Sequence, residues 1–293
     1  MYWVLINILM LSLMSKVNSK KKHFIVPSNL TIYEIPFNFT KDKFGLISDF
    51  HLGHQFPINE SIPLLIKQIQ YLIDEENISS LIILGDSFDG LYSLQNVMFE
   101  NLLKQLETLR KNIFLIGGNH DRITLLDHYN FHIKNHDQKY KYVNIITNDI
   151  IRLKHPIDTS KVFNKENEKD KENEKDKENE KDKENEKDKE NENDKENERK
   201  YENYFIAHDF LSNLKIRGSK IPSFFQLIRK KFNHTINKKD TLIIGHTHEQ
   251  YQNRKKNDYS IGQFSIDYLI YEYAILDLSK NPPIKLKKKQ YRS

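Results

Sequence analysis

Five short polar clusters follow apolar runs along this chain, and their residue types are those that bind metal ions. They combine carboxylate, imidazole and amide side chains, which suit divalent cations. In chain order they are Asp49-Phe50-His51, Gly85-Asp86-Ser87-Phe88-Asp89, Gly118-Asn119-His120-Asp121, His208 and Gly245-His246-Thr247-His248. Two cations about 3.5–4 Å apart can clamp a phosphoryl group and activate water. The clusters therefore indicate metal-assisted chemistry at phosphorus.

The spacing within the first and last clusters makes a geometric prediction. Side chains two positions apart in an extended strand point to the same side. An extended Asp49-Phe50-His51 would turn a carboxylate and an imidazole towards one ion, and His246-Thr247-His248 would do the same with two imidazoles. A single Asp between them could bridge two ions through its two oxygens. Glycines in three of the clusters would let the backbone bend close to the ions.

The apolar runs predict the elements that position these clusters. The predicted strands are Phe44–Ser48, Leu81–Leu84, Ile113–Ile116, Tyr204–Ala207 and Leu242–Ile244, with closing strands in Tyr268–Leu278. The predicted helices are Ser61–Glu76 and Leu94–Arg110. Strands alternating with helices indicate α/β layers. Because ligands bind beyond the carboxyl ends of strands in open α/β sheets, we expect the clusters to converge on one face.

The ordered pattern D-x-H, G-D-x-x-D, G-N-H-D, H and G-H-x-H resembles the calcineurin-like metallophosphoesterases, over residues 41–280. This resemblance implies an α/β fold, a four-layer α/β/β/α sandwich with a dinuclear metal centre at its mouth. It also implies a ligand set for each ion. One ion would be held by Asp49, His51, Asp86 and His248, and the other by the bridging Asp86, Asn119, His208 and His246.

The resemblance assigns roles to the remaining polar residues. His120 would contact the scissile phosphate, and Asp121 would orient His120. Asp89 would support the site or face the substrate, and His54 is a candidate substrate contact. Asp209 is a departure, because family members often have Gly after the fourth-block His.

The implied activity is hydrolysis of phosphomonoesters or phosphodiesters by a hydroxide that bridges the two metals, with His120 assisting the leaving group. A phosphorylated small molecule is the first expectation for the substrate, and no obligate protein partner is implied. One alternative is a nuclease resembling the repair-associated branch of the family. Another is a lipid-linked pyrophosphatase, which shares the SDxHL opening at Ser48–Leu52 but typically has Arg at the position of His120. A non-enzymatic scaffold is disfavoured because no ligand is missing.

Composition limits the chemistry further. The 293-residue chain has no Cys, which excludes thiolate metal sites, Cys nucleophiles and disulfides. The ligands fit Mn, Fe or Zn equally well. The net charge is +5, and the 12 basic and 17 acidic residues at positions 165–200 leave the rest of the chain at +10. A basic body favours anionic partners, nucleic acid included.

The remaining segments divide the chain. Residues 23–163 and 201–280 are expected to form one domain, interrupted by a low-complexity surface insertion at 164–200 built from KENEKD repeats that hold nothing to bury. Residues 281–293 are expected to be a basic tail. Residues 1–22 are an apolar segment whose run at 3–14 is shorter than a membrane span. We expect a cytoplasmic protein starting at Met14, with secretion or anchoring through 3–14 as the alternative.

Overall fold

The computed structural model describes residues 31–35, 42–89, 95–120, 140–156, 201–209 and 218–289. The apolar segment 1–22, the repeat at 164–200 and Asp121 lie outside these residues. Within them, the helices all fall short of the length and apolarity that a membrane crossing requires.

The described residues form two sheets and three α-helices. The strands are β1 (Ile32–Glu34), β2 (Lys43–Ile47), β3 (Ser80–Leu84), β4 (Asn112–Ile116), β5 (Val143–Ile146), β6 (Ile150–Pro156), β7 (Tyr201–Ala207), β8 (Thr241–Ile244), β9 (Gln250–Asn253), β10 (Asp258–Ile261), β11 (Phe264–Ser265), β12 (Ile270–Asp277) and β13 (Ile284–Lys289). The helices are α1 (Ile58–Glu76), α2 (Gln95–Glu107) and α3 (Ile221–Lys231), the last preceded by a 3-10 turn at Gly218–Lys220.

Helix α1 forms because its apolar residues recur every three or four positions. Ile62, Leu65, Ile69 and Leu72 are buried, and this spacing places them on one face. The helix begins three residues before the predicted start. It ends at Glu76, and Asn77, with a left-handed backbone (φ 50°), caps the last turn.

The strands that precede the polar clusters run parallel within each sheet. One sheet has the order β11-β12-β2-β3-β4-β5, with β13 added to β12, and the other has the order β1-β6-β7-β8-β10-β9. Strands β2, β3, β4 and β5 are mutually parallel, and so are β7 and β8. Their carboxyl ends therefore lie at one edge of each sheet, as an α/β site requires.

Alternate strand residues enter different cores, which produces the layers. In β3, Ile82 packs between the two sheets, whereas Ile83 packs against α1 and α2. In β8, Ile243 packs between the sheets and Ile244 packs against α3. The helices thus cover the outer face of each sheet, and the predicted four-layer α/β/β/α sandwich in a single domain is confirmed.

The segment that the sequence analysis assigned to a basic tail contains strand β13, which pairs antiparallel with β12. Ile284 is buried and Leu286 packs against the inter-sheet core, so the alternation typical of a strand is present between lysines. Three of these lysines pair with acidic residues, in the pairs Lys287–Glu76, Lys288–Glu272 and Lys289–Glu75. Three of the four lysines of β13 therefore form ion pairs within the fold.

Arg229 joins α3 to the loops around β8 and β10. Its guanidinium donates to Asp258 Oδ1 at 2.7 and 3.0 Å and to the carbonyl oxygens of Asn237, Asp240 and Lys256 at 2.7–2.9 Å. Asp258 is buried. The Arg229 side chain therefore donates hydrogen bonds to four acceptors, and its removal would take this donor from each of them.

We expect Arg229→Met to lower the free energy of unfolding by about 3 kcal/mol, because breaking a buried pair leaves an uncompensated charge. Arg229→Lys should recover only part of this loss, since an ammonium cannot reproduce the planar fork. Urea denaturation followed by circular dichroism measures the change. The exposed Arg254→Met is the control, and equal losses in Arg229→Met and Arg254→Met would contradict the assignment.

Glu76 links α1 to β12 and β13. Its Oε1 accepts hydrogen bonds from Tyr273 Oη at 3.0 Å and Lys287 Nζ at 2.5 Å. Burial by itself raises the pKa of Glu76, but Lys287 and Tyr273 outweigh burial and hold that pKa below its ordinary value. A carboxyl with a lowered pKa stabilises the fold above its unfolded pKa, about 4.3, and this contribution is lost as the pH falls through the folded value.

We therefore expect Glu76→Gln to destabilise the protein at pH 7 and the difference from wild type to shrink as the pH falls below about 4.3. Urea unfolding of both proteins at pH 7, 5 and 3.5 measures this difference. A difference that stays constant across this range would show that the charge of Glu76 is not its source.

Candidate metal centre

All the described members of the five polar clusters follow the carboxyl ends of parallel strands. The positions are Asp49 and His51 after β2, Asp86 and Asp89 after β3, Asn119 and His120 after β4, His208 after β7, and His246 and His248 after β8. Two bonds tie the sheets together at this edge. His246 N donates to Asp49 Oδ2 at 2.9 Å, and His208 Nδ1 lies 2.5 Å from the carbonyl oxygen of Leu84. The clusters therefore converge, as expected.

The backbone of the site is not extended. Asp49 and His51 have φ values of 61° and 49°, and His246 and His248 have 60° and 56°. These values lie in the left-handed region, which residues other than Gly rarely adopt. The predicted extended D-x-H and H-x-H geometry is wrong, because the chain turns sharply as soon as each strand ends. Such conformations concentrate at functional sites, where the surrounding structure holds them in place.

A first cluster consists of Asp49, His51 and His248. Asp49 Oδ1 lies 3.2 Å from His248 Nε2 and 3.7 Å from His51 Nε2, and the two imidazole nitrogens are 3.1 Å apart. One ligand atom from each residue lies within 4.8 Å of the others. This spacing fits a single ion with ligand bonds of about 2.0–2.2 Å.

A second cluster consists of Asp86, His208 and His246, with Asn119 beside it. His208 Nε2 lies 3.2 Å from Asp86 Oδ2, from Asn119 Oδ1 and from His246 Nδ1. His246 and His248 thus belong to different clusters. The expectation that the H-x-H spacing turns both imidazoles to one ion is wrong, whereas the division implied by the family resemblance matches these positions.

Asp86 belongs to the second cluster and borders the first. Its Oδ1 accepts a hydrogen bond from the backbone N of His120 at 2.9 Å, and its charge acts on His51 and Asp49. The bridging role of Asp86 between two ions stays a prediction.

The electrostatics of the clusters favour ionised carboxylates. Burial by itself raises the pKa of Asp49, but His248 and His51 outweigh burial and hold that pKa well below its ordinary value. Burial likewise raises the pKa of Asp86, but His208 outweighs burial, so that this pKa lies below its ordinary value. Burial lowers the pKa of His208, but the charges of Asp86 and Asp49 raise it well above its usual range. Both carboxylates are therefore in the form that binds cations.

Two observations show that these residues fit metal ions. Asp49 Oδ1 is shielded from solvent and faces the Nε2 atoms of His248 and His51 without a well-aligned hydrogen bond from the described residues. In a neutral His208 ring, the short contact of Nδ1 with the Leu84 carbonyl places the proton on Nδ1, so that Nε2 presents a lone pair to the oxygens of Asp86 and Asn119. A divalent cation would satisfy these facing lone pairs. The two clusters are compatible with a dinuclear divalent metal site.

His120 lies beside the first cluster and is partly exposed. Its ring packs edge-on against His51, with ring centroids 5.3 Å apart. Asp89 lies among three imidazoles, because Oδ2 is 2.5 Å from His54 Nδ1 and Oδ1 is 3.8 Å from His51 Nδ1 and 4.0 Å from His120 Nδ1. The predicted partner of His120, Asp121, is outside the described residues.

Two glycines allow the clusters to approach one another. A Cβ on Gly118 would lie 2.1 Å from Asp86 Oδ1, and a Cβ on Gly245 would lie 2.1 Å from Ser48 Oγ. A side chain at either position would collide with these neighbours, so close packing requires glycine there. The sequence analysis expected glycine to serve backbone bending near the ions instead.

Sequence reasoning missed several contacts around the site. The Leu84 carbonyl that orients His208 is a backbone group and carries no residue signature. Tyr268, expected only to start a closing strand, lies with its ring centroid 5.1 Å from that of His54. The sequence analysis noted Asp209 only as a departure from the family pattern, and in the structure its charge contributes to the raised pKa of His208. No spacing pattern links Leu84 to His208 or His54 to Tyr268, because each pair is far apart in the chain.

Comparisons with known proteins identify the family of the chain. Among solved structures, one similar chain is a Thermotoga maritima protein solved by solution NMR, with 14% identity, coverage of 85% of this chain and 99% of that chain, and a TM-score of 0.33. Another is a dimetal phosphatase from Danio rerio, with 8% identity, coverage of 85% and 96%, and a TM-score of 0.41. No curated protein matches. The model of the calcineurin-like phosphoesterase family matches residues 42–250. This range is more than half of the chain and includes all five polar clusters, and the chain therefore belongs to the calcineurin-like phosphoesterase family.

Proposed function

We propose that this protein is a phosphoesterase that uses two divalent metal ions to hydrolyse phosphomonoesters or phosphodiesters of small molecules. The observation that carries the proposal is the pair of adjacent Asp/His clusters, with ligand atoms 3.1–3.7 Å apart. In a phosphoesterase, two adjacent clusters of this kind could hold two metal ions that activate water and polarise the phosphoryl group.

The chain's own residues would divide the work between holding ions and handling the substrate. Asp49, His51 and His248 would hold one ion, and Asn119, His208 and His246 would hold the other, with Asp86 shared between them. When bound, the two ions polarise the phosphoryl oxygens and make water a stronger nucleophile at neutral pH. Manganese, iron and zinc all suit this donor set.

His120 would act on the substrate. It is partly exposed beside the first cluster, so a phosphoryl group at the clusters would lie within reach of its ring. A protonated imidazole there would stabilise charge on a phosphoryl oxygen and donate a proton to the leaving oxygen.

The charge of β13 is consistent with a small substrate. Its lysines form one of the basic groups among the described residues, and three of them pair with Glu75, Glu76 and Glu272. A paired lysine releases fewer counterions from nucleic acid than a free one does, so this strand offers little electrostatic affinity for a phosphate backbone.

The test is hydrolysis of a substrate panel by the full chain with Mn, Ni, Mg or Zn added. The panel contains p-nitrophenyl phosphate, bis-p-nitrophenyl phosphate, nucleotides, single- and double-stranded oligonucleotides and a lipid-linked pyrophosphate. We expect metal-dependent hydrolysis of small esters that a chelator abolishes. Asp49→Asn should remove it, whereas the exposed Asp74→Asn should not.

The other outcomes identify the alternatives. Preferential cleavage of oligonucleotides with salt-dependent binding would support a nuclease. Cleavage only of a lipid-linked pyrophosphate would support the pyrophosphatase. A protein that binds no metal and hydrolyses nothing would be a scaffold and would refute the proposal.

A further inference from the structure

Two half-exposed rings lie next to the candidate site on the side of His120. His54 and Tyr268 have ring centroids 5.1 Å apart and an interplanar angle of 33°. The side chain of His54 is 42% exposed and Tyr268 is 38% exposed. We call this pair of rings the aromatic lip. Phe56 and Leu269, adjacent to it in the chain, are also exposed large apolar residues.

The aromatic lip is held in place by two carboxylates. Asp89 Oδ2 lies 2.5 Å from His54 Nδ1. Asp267, next to Tyr268, accepts a hydrogen bond from the backbone N of Gln55 at 2.6 Å and another from Ser61 Oγ at 3.4 Å. These bonds connect the loop after β2 to the turn before β12. The position of the lip is therefore fixed by hydrogen bonds, because His54 is bonded to Asp89 and Tyr268 follows the bonded Asp267.

The lip lies on the side of the site from which the leaving group would depart. The Asp89 carboxylate that binds His54 has its other oxygen 3.8 Å from His51 and 4.0 Å from His120. Among the described residues, the lip thus connects to the first cluster and to His120, whereas His208 and His246 form the other cluster. A group that receives a proton from His120 must leave on this side.

We propose that the aromatic lip binds the leaving group of the substrate and that the enzyme prefers phosphoesters of alcohols that carry a flat aromatic ring beside an aliphatic hydroxyl, such as benzyl-type alcohols or nucleosides. The inference rests on the proposed function, because it places the leaving group by the proton-donating role of His120. A flat ring can stack on the partly exposed side chains of His54 and Tyr268, and aromatic stacking is tolerant of the identity of the ring. An alkyl leaving group gains less from these rings.

The kinetic test compares benzyl phosphate with an alkyl phosphate whose alcohol has the same pKa. The intrinsic reactivity of the two leaving groups is then equal, and a difference in rate reports on binding of the ring. If the activity proves to be diesterase, the corresponding methyl diesters serve. We expect Tyr268→Ala to lower the ratio of kcat/KM for the benzyl ester to that for the alkyl ester by roughly 10-fold, mainly through KM. Tyr268→Phe should keep the wild-type ratio, because it keeps the ring.

The matched control is Tyr71→Ala, since Tyr71 is an exposed tyrosine on α1 outside the site, and it should leave the ratio unchanged. An unchanged ratio in Tyr268→Ala would overturn the inference, and so would a wild-type enzyme that shows no preference for the benzyl ester.

A binding measurement separates this inference from the proposed function. Saturation-transfer NMR with benzyl phosphate should show transfer to the aromatic protons in the wild-type protein and much less in Tyr268→Ala. If no ester is hydrolysed with any metal, the proposed function fails, and the lip is then judged by this binding alone. Absence of transfer in the wild-type protein, or equal transfer in Tyr268→Ala, would overturn the role of the lip.

Discussion

Asp86→Asn is expected to deplete both metal ions and to lower phosphoesterase activity by more than about 100-fold, since even residues that only support ligands cost 10–100-fold. The substitution removes one negative charge from a carboxylate that is predicted to be shared. It keeps an oxygen that can accept the hydrogen bond from His120 N, so the local fold should survive. Elemental analysis of the purified protein gives the number of metals per chain.

The outcome of this measurement also tests the bridge. Asp86 contacts His208 of the second cluster directly and acts on His51 of the first by charge. Loss of both ions would support a shared ligand. Retention of one ion per chain would assign Asp86 to the second cluster alone, and retention of both would contradict any ligand role. Asp74→Asn, at an exposed position on α1, is the control for added metal and purification.

His120→Ala is expected to lower turnover by about 10²–10⁴-fold on alkyl phosphoesters and much less on p-nitrophenyl esters. An alkoxide is a poor leaving group and needs a proton in the transition state, whereas p-nitrophenolate leaves without one. The ring of His120 packs on His51 and lies outside the two proposed ligand sets, so the metal content should stay unchanged. Steady-state kinetics on a series of esters with graded leaving-group pKa measures the dependence.

The slope of rate against leaving-group pKa is the decisive quantity in that experiment. A steeper slope in His120→Ala than in wild type would identify the proton donor. Equal losses on alkyl and p-nitrophenyl esters would remove the acid role and leave charge stabilisation of the phosphoryl group. The exposed His234→Ala is the matched control and should follow the wild-type slope.

The strands that precede the polar clusters were predictable because both of their faces are buried. Short apolar runs such as Leu81–Leu84 predict strands, and in the structure these strands begin one to three residues earlier than predicted. Strands β9 and β13 were not predictable in this way. All residues of β9 are half-buried, and β13 alternates lysines with Ile284 and Leu286. Edge strands of this kind carry polar residues that hide the pattern.

The sequence by itself determined the chemistry of the site, because carboxylate, imidazole and amide ligands in one order, each after an apolar run, have few other uses. Only the tertiary structure decided how these ligands are sorted. It turned His246 and His248 to different clusters through left-handed backbone at both residues, and it brought Asp89 among three histidines and Tyr268 against His54. The physical reason is that a residue's type fixes what it can bind, whereas its direction and its neighbours follow from backbone turns and long-range packing.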